Sequence, residues 1–121
     1  MIKLTFCLTR LPSLTREQFQ DYWWNTHAPL VASVREPLRI RRYVQMHSLP
    51  AEVSADLMRL RGGPEGFDGV AQLWWDSFED MAKSAGDPKA AEAGRLLLED
   101  EKKFIDLPRS PLWWGEEKVV F

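Results

Sequence analysis

At 121 residues the chain has room for one domain with one hydrophobic core, and not for two. Hydrophobic residues make up 45% and the formal net charge is −2 with no run of like charges, which excludes a disordered chain and leaves no electrostatic footprint for nucleic acid or an anionic membrane. Cys7 is the only cysteine, so no intrachain disulfide is expected; with no leader-like start and no membrane-length apolar run, the expectation is a cytoplasmic protein forming a single domain over 1–121.

Residues 2–9 alternate, with Ile2, Leu4, Phe6 and Leu8 on one face and Lys3, Thr5, Cys7 and Thr9 on the other, the pattern of a strand with one apolar face. A helix follows a turn at Pro12 and Ser13. Thr15 is its N-cap, Gln18 completes a capping box, and Leu14 and Phe19 occupy the two positions of a hydrophobic staple. Phe19, Trp23 and His27 fall on one face of this helix, and Pro29, which has no N–H to give to the Asn25 carbonyl, predicts a bend or restart just after His27. Residues 39–47 read as a second strand, with Arg41, Tyr43, Gln45 and His47 on one face and Ile40, Arg42, Val44 and Met46 on the other.

Ala51 to Leu60 suits a short helix, and Gly62, Gly63, Pro64 and Gly66 a loop. Val70 to Trp75 is a third strand. Ser77 caps another helix, with Asp80 at the capping-box position, and Gly86 closes it. Asp87 and Pro88 start a further helix whose apolar pattern runs to about Ile105, and residues 113–121 read as a last strand. The order strand, helix, strand, strand, helix, strand predicts a ferredoxin-like α+β fold, an antiparallel sheet with helices on one face.

The six tryptophans stand as three adjacent pairs, Trp23-Trp24, Trp74-Trp75 and Trp113-Trp114. Neighbours on a strand point to opposite faces, so one member of each strand pair must lie away from the helices. A second copy of the chain, packed sheet to sheet, is the economical cover for such a face, and a homodimer is expected.

His27 is the leading chemical candidate, since imidazole takes and gives protons near neutral pH. From pattern alone, a core histidine that bonds the helix end or fills a core edge is the better match. Arg41, Tyr43 and His47 together suit an anionic or phenolic ligand, with Arg41 as a carboxylate clamp, Tyr43 as a donor and His47 as a second acid or base; a polar sheet face inside a dimer is the structural alternative. Asp76 precedes a helix cap and suits that role, and Cys7 reads as a buried, inert thiol. No His, Cys or acidic spacing makes a metal-ligand set, and no phosphate or dinucleotide loop is present, so neither metal nor cofactor is expected. Whether Tyr43 and His47 meet His27 depends on which face of their strand turns to the helices, and the alternation leaves both open.

The run Leu14-Thr15-Arg16-Glu17-Gln18-Phe19, then Tyr22-Trp23, then His27-Ala28-Pro29-Leu30-Val31, resembles the EthD family. So do Arg42-Tyr43-Val44-Gln45 with His47, and Asp68-Gly69-Val70 leading to Leu73-Trp74-Trp75-Asp76-Ser77-Phe78-Glu79-Asp80. The likeness covers nearly the whole chain in order, and the motif ending in His27-Ala28-Pro29-Leu30-Val31 is its most specific part. It implies the dimeric α+β barrel superfamily, whose families include polyketide cyclases, muconolactone isomerases, small dehydratases and decarboxylases, and haem-using or cofactor-free monooxygenases. Several of these use the histidine that matches His27, often with a strand tyrosine or arginine.

The expectation is therefore a cofactor-free enzyme performing proton-transfer chemistry, whether dehydration, decarboxylation, isomerisation or cyclisation, on an aromatic or polyketide-like metabolite. His27 would be the general acid/base and Tyr43 the donor to a developing oxyanion, with Phe6, Trp23 and Trp74 as pocket wall and Arg41 and His47 as further substrate contacts. The alternatives are a non-catalytic metabolite-binding or accessory protein of a degradation or oxygenase pathway, and a monooxygenase-type oxidoreductase.

Overall fold

In a computed structural model describing residues 1–121, four strands form one antiparallel sheet: β1 (Ile2–Leu8), β2 (Arg42–His47), β3 (Gly69–Trp75) and β4 (Leu112–Glu116). Their spatial order is β2-β3-β1-β4. Helices α1 (Arg16–Tyr22), α2 (Ala28–Ser33) and α3 (Arg35–Leu38) lie on one face, α4 (Ala51–Arg61) stands in the connection between β2 and β3, and α5 (Phe78–Ala82) and α6 (Pro88–Glu101) lie on the same face as α1. This is the ferredoxin-like arrangement the element order predicts.

Register decides which side chains meet the helices. Tyr43 pairs with Leu73 and Leu73 with Leu4, while Gln45 pairs with Ala71 and Ala71 with Phe6. Leu4, Phe6, Tyr43, Ala71, Leu73 and Trp75 consequently share the inner face. The outer face carries Thr5, Val44, Val70, Trp74 and Trp113. The tryptophan pairs split as alternation requires. Trp75 turns inward, its Nε1 donating to the Leu38 carbonyl at 2.7 Å. Trp74 turns outward, between the Lys3 ammonium at 5.2 Å and the Arg42 guanidinium at 4.7 Å, and bonds Glu117.

Helix α1 starts as its sequence dictates: Thr15 Oγ1 accepts from the Gln18 N–H at 3.1 Å and Gln18 Oε1 accepts from the Thr15 N–H at 2.9 Å. It does not simply stop at Pro29. Residues Trp23–His27 form one wider π-helical turn, in which the Ala28 N–H reaches back to the Trp23 carbonyl, and α2 resumes with Pro29 in its first turn. The proline ring nitrogen has no hydrogen to give to Asn25, so the helix gains one residue per turn there and recovers its register afterwards.

Four boundaries depart from the sequence reading: α5 ends at Ala82, short of Gly86, and the other three shift for packing reasons. β2 begins at Arg42 rather than residue 39, because α3 occupies Arg35–Leu38 and Arg39 turns through a left-handed φ of 60°. Helix α6 ends at Glu101, since Arg10 bridges Ile105 and the Leu11 N–H takes the Phe104 carbonyl, pulling the chain out of the helix. The last strand stops at Glu116, which pairs with Ile2; β1 offers nothing beyond for Val119 to Phe121 to pair with.

The core gathers where α1 crosses the sheet: Leu8, Phe19, Trp23 and Phe104 are fully enclosed. Gly69 admits this packing, since a Cβ there would sit 2.3 Å from a ring carbon of Trp23. Beside it the buried Asp68 carboxylate accepts from the Arg10 N–H at 2.8 Å, Arg10 Nη1 at 2.5 Å and Arg16 Nε at 3.0 Å. These bonds hold its pKa below the ordinary carboxylate range against the opposing effect of burial. They fasten the end of β1, the start of α1 and the entry to β3 to one another.

Candidate active site

The π-helical turn sets His27 at the inner end of the α1 stripe, 6% exposed, with its ring 5.0 Å from that of Phe104. Its Nδ1 lies 2.7 Å from Asp100 Oδ2 on α6. The other carboxylate oxygen, Oδ1, accepts from the Tyr22 hydroxyl at 2.6 Å and has Lys103 Nζ at 3.6 Å. An ionised carboxylate only accepts, so Nδ1 carries the hydrogen and Nε2 the lone pair. Burial lowers the His27 pKa, and Asp100 offsets this only in part. The side chain is thus a neutral imidazole, fixed in tautomer and orientation, whose basic nitrogen has no protein partner.

Between the helices and the inner sheet face lies a cavity of ≈ 150 Å³. His27, Trp23, Phe6, Tyr43 and Trp75 all line it, with Leu4, Leu73, Leu97 and Ile105 among the apolar remainder. A dry cavity of about this size accommodates a single aromatic ring. Its polar groups are His27, Tyr43 and Glu101. The Tyr43 hydroxyl accepts from Gln45 Nε2 at 2.7 Å, and the same amide nitrogen donates to the Trp23 carbonyl at 3.0 Å. The phenol keeps its own hydrogen to donate, and burial raises its pKa, so it stays protonated. Glu101 is pushed up to about 7, first by burial and then by the charge of Asp100. No lysine or arginine lines the cavity, and no three His, Cys or acidic side chains gather where they could hold a metal ion.

The remaining sequence candidates lie elsewhere. Trp74 is not pocket wall: strand alternation gives that place to Trp75 and sends Trp74 to the outer face. Arg41 precedes β2 and pairs with Asp76 at 2.9 Å and Asp80 at 3.6 Å, outside the cavity. His47 shares the strand face of Tyr43 but lies beyond Trp23, stacked on that indole at 4.5 Å with Nε2 on Gln45 Oε1 at 2.7 Å. It borders a wider surface groove of ≈ 610 Å³ beneath α4, remote from His27. Asp100 and Glu101 were not singled out from the sequence. Ala93 and Leu97 mark an apolar stripe on α6 that Phe104 continues past its end, and two adjacent carboxylates between Leu97 and Phe104 are the signal the sequence offers.

A model of the EthD domain matches residues 11–108. The chain belongs to the EthD family. Among its EthD-type relatives, the conidial pigment biosynthesis dehydratase EthD of Metarhizium robertsii is 28% identical over 95% of this chain and 81% of that protein. A decarboxylase of Claviceps purpurea is 29% identical over 97% of this chain and 84% of its own length. Among solved structures, a dimeric protein of ferredoxin-like fold from Bacteroides fragilis superposes with a TM-score of 0.58, at 11% identity over 96% of this chain and 95% of that one. That likeness bears on the fold alone.

Proposed function

We propose that this EthD-family chain is a cofactor-free lyase that moves protons on a small aromatic or polyketide-like metabolite, with His27 as general acid/base and Tyr43 as hydrogen-bond donor to the oxyanion that develops. The observation that carries this reading is the His27 imidazole, its Nδ1–H committed to Asp100 and its side chain lining a ring-sized, largely apolar cavity. A base held this way needs no reorientation before it acts, and an apolar surround magnifies the effect of the Tyr43 donor. The names of the dehydratase and decarboxylase relatives support a lyase.

A homodimer formed through the outer sheet face belongs to the same reading. Trp113 and Met46 stand half exposed there, and the structural neighbour from Bacteroides fragilis is dimeric.

The test is a pair of variants. His27→Ala should lower turnover ~10²–10⁴-fold, the usual worth of a positioned acid/base, and Tyr43→Phe should slow turnover with little change in melting temperature. Thermal melts against a panel of phenolic and polyketide-like compounds find the ligand first. Stabilisation that persists undiminished in both variants would place the binding site elsewhere.

A further inference from the structure

Glu101 is the one charged side chain in the cavity wall that the reading above leaves unused. The preceding residue, Asp100, is spent on orienting His27 and on Tyr22. The two bases that follow it along the chain are engaged elsewhere, Lys102 with Glu99 and Lys103 with Asp100. Nothing hydrogen-bonds or neutralises the Glu101 carboxyl: burial and the charge of Asp100 are the influences on it. A carboxyl left bare on an apolar wall holds its proton, and a carboxylic acid can give that proton to a leaving group.

Around the same space, the absence of lysine and arginine limits what can enter. A carboxylate in this cavity would lie near Asp100 with no cation to compensate it, a costly placement in low dielectric. Neutral compounds carry no such cost.

We propose that Glu101 is the acid partner of His27, and that the site eliminates water from neutral β-hydroxy carbonyl compounds bearing one aromatic ring. The inference rests on the assignment of His27 and Tyr43 above. His27 Nε2 takes the proton on the carbon next to the carbonyl, and the electron pair of that C–H bond becomes the new C=C bond. The C–O bond to the β-hydroxyl breaks. The departing oxygen takes the Glu101 proton and leaves as water, while Tyr43 donates to the carbonyl oxygen where charge develops. His27 ends protonated and Glu101 ionised, and transfer of that proton back to Glu101, directly or through the released water, resets the site without oxidant or reductant.

Two probes separate this inference from the reading beneath it. 4-Phenylbutan-2-one has no hydroxyl to lose, so exchange of its α-hydrogens for deuterium in D₂O, followed by NMR, reports His27 alone. 4-Hydroxy-4-phenylbutan-2-one can also eliminate, and absorbance follows its conversion to the conjugated enone. Wild type should do both, and His27→Ala neither. Glu101→Gln, checked by circular dichroism to be folded, should keep exchange within about threefold of wild type and lose elimination ~10²-fold or more. Elimination at the wild-type rate in Glu101→Gln, or a wild type that exchanges but does not eliminate, would overturn the role of Glu101. A wild type that does not exchange would overturn the His27 assignment as well. The matching acid, 3-hydroxy-3-phenylpropanoate, should neither react nor compete with the ketone; competition at equal concentration would overturn the preference for neutral substrates.

Discussion

At the scale of single residues, the site holds two carboxylates in adjacent positions with opposite fates. Asp100 is kept below the ordinary carboxylate range by Tyr22 and His27, while burial and the neighbouring charge push Glu101 up to about 7. The two therefore influence stability in opposite senses. A carboxyl whose folded pKa exceeds its unfolded value binds its proton more tightly when folded, so its support is complete below the ordinary value near 4.5 and is lost as pH rises through 7. Above that the ionised form costs up to ~3 kcal/mol. Glu101→Gln removes this loss. Urea unfolding should find the variant equal to wild type near pH 4 and more stable at pH 8, with the difference growing between those limits. A difference independent of pH would mean that Glu101 titrates alike in the folded and unfolded chain. The lowered pKa of His27 acts in the other direction, favouring the fold as pH rises through 6.5, and it is common to both proteins.

Among the elements, the π-helical turn is the one whose form is tied most directly to the chemistry proposed for His27. An ordinary helix would continue through Asn25 and place His27 about a third of a turn away from α6. Pro29→Ala restores the missing N–H and lets the α-helical ladder close. Its melting temperature should be unchanged or higher, while His27-dependent proton exchange falls at least tenfold; full activity in this variant would show that the turn does not position the imidazole. Pro29 makes the break legible from sequence, as Thr15 and Gln18 make the helix start legible. The choice of strand face is a different matter. Tyr43 and Val44 suit either side of β2, and only pairing with Leu73 and Ala71, far along the chain, turns Tyr43 inward. The same pairing exchanges Trp74 for Trp75 in the cavity wall. The pairing of Arg41 is not legible because its partners, Asp76 just after β3 and Asp80 on α5, are brought to it by a proximity that no local pattern encodes. Asp100 and Glu101 look like ordinary helix-surface acids until the helix is laid against His27.

For the molecule as a whole, the long helices cover the inner face of the sheet, while Met46 and Trp113 on the outer face stand half exposed. Val44 stands on the outer face at the centre of β2, opposite Gln72, and a charge placed there would be buried in a sheet-to-sheet dimer. If the proposed dimer forms, Val44→Glu should convert it to a monomer by light scattering while leaving the far-ultraviolet circular dichroism of the helices intact, and the lost interface should measure at least ~1,200 Å² in total. A wild-type chain that scatters as a monomer at micromolar concentration would remove the dimer from the account. The division of the tryptophans between the two sides also makes the protein its own optical instrument. Trp23 and Trp75 line the cavity, Trp74 and Trp113 lie on the outer face, and Trp24 stands in solvent. Indole emission responds to what touches the ring, so intrinsic fluorescence would carry separate channels for the proposed ligand in the cavity and for the proposed pairing of chains. Substituting Phe for the indoles of one group at a time would isolate each channel, and compound libraries could then be screened without a label and before any substrate is known.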